Sequence, residues 1–299
     1  MPPPVAHPRT PQFALPPGSV DCHMHLFGPY DRYPPVPESK YITADCLPED
    51  FIAMMDRFGI AMGVFVPASP HGTDPTHLID VLREYPDRFI GIAILGEDAD
   101  RAAIARLDAL GVKGARFQSA THGSVLPALS IETARRIHDF GWHVELYPHG
   151  TEIADMEEIV ASLPNKVVFD HFGSIPASAG IDHPAFAALL RMLDSGKVWV
   201  KLSRPGQIAT EGMPHPSVTP IARALIAHAP ERMLWGSDWP HVGETPDSMP
   251  DDGVLLDVLA DWAPDEAVRT RILVDNPDEF FALDGAARRV SEQISQRRA

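Results

Sequence analysis

Eight short β-rich runs alternate with helical stretches along almost the whole chain, and this alternation restricts the fold more than any other feature. The runs are SVDCHMHLF (19–27), MGVFVPAS (62–69), FIGIAIL (89–95), VKGARFQ (112–118), HVELYP (143–148), KVVFDHF (166–172), VWVKLS (198–203) and RMLWGSDW (232–239). The stretches between them have helical composition. LPEDFIAMMDRFG, for example, carries acidic residues in its first turn and ends at Gly59, a natural stop. Connections are short and no internal segment reads as a linker. Eight such units in 299 residues indicate an α/β fold of the (β/α)8 TIM-barrel type. A doubly wound open sheet is the alternative, but no GxGxxG follows the first run.

The ends frame this barrel. Residues 1–18 are proline-rich, lack a secretory apolar region and read as an extension crossing the surface in extended form. Residues 19–284 form the barrel, and 285–299 (GAARRVSEQISQRRA) read as a basic, exposed tail. No run approaches the roughly 18 apolar residues of a membrane span. A net charge of −16 argues against nucleic acid or an anionic membrane as partner. A small anionic substrate remains compatible, because a few arginines in a pocket reverse the local field. The two cysteines, Cys22 and Cys46, have no metal-site spacing, which points to a reducing, cytoplasmic setting without disulfides.

In such a barrel the chemistry sits at the C-terminal strand ends. His23 and His25 end the first run, and their spacing sends both imidazoles to one side of a strand. Ser69 and His71 follow the second run, Arg116 lies on the fourth, and Tyr147 and His149 end the fifth. Asp170 and His171 end the sixth, Lys201, Ser203 and Arg204 the seventh, and Asp238 and His241 the eighth. Titratable residues thus recur at one level of the barrel, which marks a catalytic site. Asp170, preceding His171, is expected to face away from it, and Lys201 to be either a site residue or paired with a nearby acid. His138, His183, His215 and His228 are expected at the surface, and Trp142, Trp199 and Trp262 in packing. No GxSxG elbow is present, which disfavours an acyl-serine mechanism.

VDCHMHLFGP, VFDHFG and LWGSDWPH, together with KYITAD, ASPHGTD, GVKGARF, GWHVELY and VDNP, resemble the amidohydrolase superfamily over residues 18–283. The similarity is to the branch of 2-pyrone-4,6-dicarboxylate lactonase, with sulfomuconolactone hydrolase and galactarolactone isomerase among its relatives. The resemblance implies an amidohydrolase-type barrel whose reaction centre is His23, His25, His171 and Asp238. Asp238 would serve as general base and then general acid. These four could hold one divalent cation, zinc being usual for a nitrogen-rich set, although members of this branch are also thought able to work without a metal. A second metal is not expected, because Arg116 stands where binuclear relatives carry a bridging lysine or glutamate. The resemblance also places Arg116 and Arg204 on substrate acidic groups, with Tyr41, Ser69, His71, Tyr147 and His241 around them.

Two departures matter. An arginine soon after strand four is replaced by FQSATHGSV, in which His122 is the nearest substitute, and GRP after strand six reads GSI at Ser174. The expected substrate is therefore a small lactone bearing carboxylate or sulfonate groups, muconolactone-type or pyrone-type, from aromatic-acid catabolism. A sugar-acid lactone isomerase and an amidohydrolase-type decarboxylase are the alternatives.

Overall fold

The protein is represented by a computed structural model that describes residues 1–96, 98–118 and 129–298. All eight expected strands are present: β1 (Val20–Met24), β2 (Met62–Phe65), β3 (Phe89–Ala93), β4 (Val112–Gln118), β5 (His143–Tyr147), β6 (Val167–Phe169), β7 (Val198–Ser203) and β8 (Met233–Gly236). Each pairs in parallel with the next in sequence order. The ring is joined between its first and last strands by a single bridge, Met24 with Trp239, rather than by a full ladder. Two backbone hydrogen bonds reinforce it, His25 N–H to the Trp239 carbonyl (2.7 Å) and Asp238 N–H to the His23 carbonyl (2.8 Å). The seam of the barrel is therefore made by the residues expected to do its chemistry.

A helix follows each strand: α1 (Pro48–Phe58), α2 (Thr76–Glu84), α3 (Arg101–Asp108), α4 (Ile131–His138), α5 (Glu157–Ser162), α6 (Pro184–Asp194), α7 (Thr219–His228) and α8 (Asp252–Trp262). Their apolar stripes pack on the outside of the strands. In α1 the buried residues are Phe51, Met54, Met55 and Phe58, one helical face, and Gly59 ends the helix at φ 85° with its N–H on the Met55 carbonyl. The inner faces behave differently from bottom to top. Met62, Val64, Ile90, Ile92, Val168, Trp199 and Leu234 fill the lower barrel with apolar volume. Two residues further along β6 and β7 the same inward faces carry Asp170 and Lys201, because strand side chains repeat every second residue.

Beyond α8 lie α9 (Glu266–Thr270), α10 (Asn276–Phe281) and α11 (Ala286–Arg298). The expectation of an exposed tail is corrected here. Ala287 and Val290 of α11 are buried with Val20, Phe280 and Phe281 under the lower barrel, and Ile294 packs against them. The spacing i, i+3, i+7 gives α11 an apolar stripe that its arginine-rich composition conceals. The first 18 residues contain no helix or strand. They run across α8, where Asp251 accepts from Arg9 N–H (3.0 Å) and Asp257 from Gln12 N–H (2.7 Å). His215 is likewise corrected: it is buried, in a left-handed turn, with Nδ1 on the Glu211 carbonyl at 2.9 Å. His183 caps α6 by accepting from Ala185 N–H (3.1 Å), while His138 and His228 are at the surface.

Asn276, buried at the start of α10, donates to the Pro230 and Met233 carbonyls at 2.8 and 2.7 Å and so ties the C-terminal helices to β8. Asn276→Ala removes hydrogen bonds to one buried and one half-buried carbonyl and should cost about 2–3 kcal/mol. In a thermal melt this corresponds to a fall in Tm of about 3–5 °C. An unchanged Tm would show that the tie contributes nothing.

Candidate active site

Four groups converge at the top of the barrel around the carboxylate of Asp238. Its Oδ1 lies 3.3 Å from His25 Nε2, 3.5 Å from His23 Nε2 and 3.8 Å from His171 Nε2. Its Oδ2 lies 3.5 Å from Arg204 Nε. Among the described residues neither oxygen has a partner at hydrogen-bond geometry, although the carboxylate is fully buried. Burial alone would raise its pKa, yet Arg204, His171 and His25 together hold it well below the usual carboxylate range. Asp238 is an anion at neutral pH.

The backbone makes this convergence. Asp238 has φ 64° and His171 has φ 50°, both in the left-handed region, which Asp and His enter more readily than most residues. The turn at His171 is what overturns the expectation for Asp170. Strand periodicity points Asp170 inward, as it does Val168, and the left-handed turn then brings His171 back to the same side. Both side chains therefore face the barrel axis. His171 is held by Ser203, whose Oγ is 2.8 Å from Nδ1, and His25 donates from Nδ1 to the Val66 carbonyl at 2.5 Å. Asp21 pins the ends of β1 and β8 by accepting from His23 N–H (3.1 Å) and Ser237 N–H (3.0 Å).

Beneath these groups lies a layer of buried charge. Lys201 Nζ is 2.5 Å from Glu145 Oε2, 3.3 Å from Asp170 Oδ1 and 3.0 Å from His23 Nδ1. Arg116 places Nη2 and Nε 3.0 and 3.2 Å from Asp170 Oδ2, and donates from Nη1 to the Pro67 carbonyl at 3.3 Å. Of the two expectations for Lys201, the structure realises pairing with acids while also placing it on a site histidine. Glu145 went unidentified in the sequence. Its one signal is a charged residue between Val144 and Leu146, on the strand face shared with Tyr147. Burial and Asp170 push Glu145 upward, but Lys201 and the neighbouring imidazoles bring its pKa below the ordinary value. For Asp170, Lys201, His23 and Arg116 outweigh burial by a wide margin. His23 is lowered to about 4, chiefly by burial and then by Lys201, so it is neutral at neutral pH. Burial likewise holds His171 well below its ordinary value.

The residues placed by resemblance around a substrate separate into two groups. Tyr41, half-buried, lies within reach of the Ser69 hydroxyl and the charges of Arg116, Arg204 and Asp238, and burial pushes its phenol up to about 12. Tyr147 packs edge-on to His171 with ring centres 5.3 Å apart, and the Arg116 guanidinium lies 5.5 Å from its ring centre. Arg204, at φ 48°, keeps its side chain a quarter exposed and donates from Nη2 to the Val242 carbonyl. These border the centre. His71 and His241 are held otherwise. Both ring nitrogens of His71 meet backbone groups, at Ala68 (3.1 Å) and the Leu26 carbonyl (2.9 Å), and His241 Nε2 lies 3.1 Å from Asp252. The Ser174 hydroxyl accepts from Gln207 Nε2 at 3.1 Å. His122 lies outside the described residues.

These donors fit one small cation. Ligand atoms of His23, His171 and Asp238 lie within 4.8 Å of one another. His25 donates from Nδ1 to a carbonyl, which leaves its Nε2 turned toward the ionised carboxylate. Either a proton on Nε2 or a cation lies between the two atoms. A second group, His23, Glu145 and Asp170, has similar spacing. Lys201 lies within 3.3 Å of all three, so its ammonium already supplies the positive charge there.

The chain resembles known proteins along almost its whole length. The amidohydrolase family profile matches residues 20–283. A 4-sulfomuconolactone hydrolase of Rhizobium radiobacter is 36% identical over 277 residues, 91% of this chain and 92% of its own. A 2-pyrone-4,6-dicarboxylate hydrolase of Comamonas testosteroni is 35% identical over 287 residues, 92% and 94% of the two chains. A D-galactarolactone isomerase of Agrobacterium fabrum is 31% identical over 91% of this chain and 94% of its own. Among solved structures, an Agrobacterium tumefaciens protein superposes with a TM-score of 0.82 at 30% identity, covering 92% of this chain and 99% of that one.

The neighbouring imidazoles of His71 and His77, whose nitrogens lie 3.4 Å apart, carry a testable titration. Burial lowers His71 to about 4, and burial together with His71 lowers His77 to about 3. The unfolded chain takes up these protons near 6.5, so their stabilisation is complete above that pH and is lost as pH falls toward the folded values. Urea midpoints should therefore drop steadily between pH 6.5 and pH 4. His77→Phe should make the slope shallower, and an unchanged slope would mean that His77 is not kept neutral by the fold.

Proposed function

The chain belongs to the amidohydrolase family, and from that premise we propose that it is a lactonase, hydrolysing a small lactone that carries a carboxylate or sulfonate group. The observation that carries this reading is the buried, ionised carboxylate of Asp238 facing three imidazoles. Asp238 takes a proton from water as the water oxygen bonds to the lactone carbonyl carbon. His23, His25 and His171 surround the position where the carbonyl oxygen gains charge. Collapse of the tetrahedral adduct breaks the bond to the ring oxygen, and Asp238 returns the proton to that oxygen, so the ring opens to a free acid and a hydroxyl or enol. A single divalent cation, zinc in view of the nitrogen-rich set, would be held by His23, His25, His171 and Asp238 and would supply Lewis-acid polarisation of the carbonyl. Without it, the same imidazoles serve as hydrogen-bond donors.

Arg204 is the cation that meets the substrate anion. Its guanidinium is the partly exposed one, whereas that of Arg116 is balanced within the barrel by Asp170. Pairing with a substrate anion draws Arg204 away from Asp238 and restores basicity to the carboxylate as substrate arrives. Arg116, Tyr41, Ser69 and Tyr147 complete the wall of the site, with His71 and His241 supporting it from behind. No helix among the described residues is long and apolar enough to cross a membrane. The free thiols of Cys22 and Cys46 support a cytoplasmic setting.

The test is turnover of a panel of acidic lactones by the purified protein. Asp238→Asn should lower kcat by about 10²–10⁴-fold with little change in KM, because proton transfer is lost while binding contacts remain. Arg204→Met should cost about 2–5 kcal/mol in kcat/KM on an acidic lactone and much less on a neutral one of similar size. Equal losses on both substrates would remove Arg204 from anion recognition, and near-normal turnover by the Asp238 variant would place the base elsewhere.

A further inference from the structure

We propose that Lys201 is a positioning residue that determines which nitrogen of His23 carries the ring proton. His23 Nδ1 lies 3.0 Å from Lys201 Nζ and 3.2 Å from Asp170 Oδ1, so a donor and an acceptor compete for one atom. An ammonium has only protons to give. If it bonds to Nδ1, that nitrogen must be bare and the proton must sit on Nε2. A bond to Asp170 would require the reverse. The geometry favours Lys201, whose contact is the shorter of the two at 3.0 Å and is oriented as a hydrogen bond. Lys201 is itself fixed, being fully buried between Glu145 Oε2 (2.5 Å) and Asp170 Oδ1 (3.3 Å).

The two histidines of the His-x-His motif are therefore held differently at Nδ1. His25 donates from that nitrogen to the Val66 carbonyl. His23, accepting at Nδ1 from Lys201, presents an N–H from Nε2 to Asp238 Oδ1, 3.5 Å away. For His23 to become a ligand to a cation, its Nε2 proton must leave and Nδ1 must be protonated toward Asp170. Lys201 opposes that exchange. It keeps His23 a hydrogen-bond donor and weakens cation binding at the centre.

This inference rests on placing His23 in the reaction centre, but its readout does not depend on which lactone is hydrolysed. The experiment is nitrogen NMR of the full-length, chelator-treated protein labelled with ¹⁵N-histidine near neutral pH, the His23 signals being those lost in His23→Gln. The wild type should show a protonated Nε2 and a bare Nδ1. The double variant Lys201→Met, Glu145→Gln removes opposite charges together and strands no new buried charge. In it the proton should move to Nδ1, and zinc affinity, measured by competition with a chelating dye, should rise about tenfold or more, the size expected of a change in a ligand's hydrogen-bond partner. A wild-type ring protonated at Nδ1 overturns the proposal whether or not the variant folds. So does a folded double variant that keeps its proton on Nε2. The expected spectra in a protein that opens no lactone would contradict the functional reading alone.

Discussion

The buried quartet of Lys201, Arg116, Glu145 and Asp170 is the interaction on which the rest of the site depends. Charges taken out of water are tolerated only when each has a close partner, and removing one from such a set costs about 3–5 kcal/mol because another charge is left uncompensated. Here two cations meet two carboxylates, and the members come from β4, β5, β7 and the end of β6. Four neighbouring strands are thereby locked at one height. The apolar filling below them gives way to charge at that level, and His23 rests directly on it.

A balanced layer beneath leaves Asp238 as the anion that the upper barrel must accommodate. It meets three imidazoles and one guanidinium, and among the described residues that guanidinium, on Arg204, is the cation in contact with it. The seam between the first and last strands fixes the register of the arrangement. The hydrogen bonds from His25 to Trp239 and from Asp238 to His23 are both backbone contacts, so a shift of either strand end would displace the base and two imidazoles together. Barrel closure and catalytic geometry are the same set of contacts.

Much of this was readable before any coordinates. All eight strands and the groups at their C-terminal ends follow from alternation and residue type, and His23, His25, His171 and Asp238 are brought to one point. What escaped the reading has definite physical causes. Asp170 was expected to face away because neighbouring strand residues alternate, and the left-handed backbone at His171 breaks that alternation. Glu145 was hidden in HVELY, since a single strand does not reveal that its inward charge will meet a lysine two strands away. Arg116 appeared on sequence to be free for a substrate, whereas its partners Asp170 and Pro67 lie on other strands or their loops. The four arginines of α11 mask its apolar stripe, which closes the bottom of the barrel.

Isotope tracing of a single turnover in H₂¹⁸O, with enzyme in excess over an acidic lactone, tests the central claim most directly. Water activated by Asp238 attacks the lactone carbonyl, so the first-turnover product should carry one solvent oxygen in its new carboxylate, and Asp238 should carry none. A ring-opened product without label, accompanied by label in Asp238 after that same turnover, would make Asp238 a nucleophile instead of a base. An unlabelled product whose lactone ring has merely moved would replace hydrolysis with isomerisation.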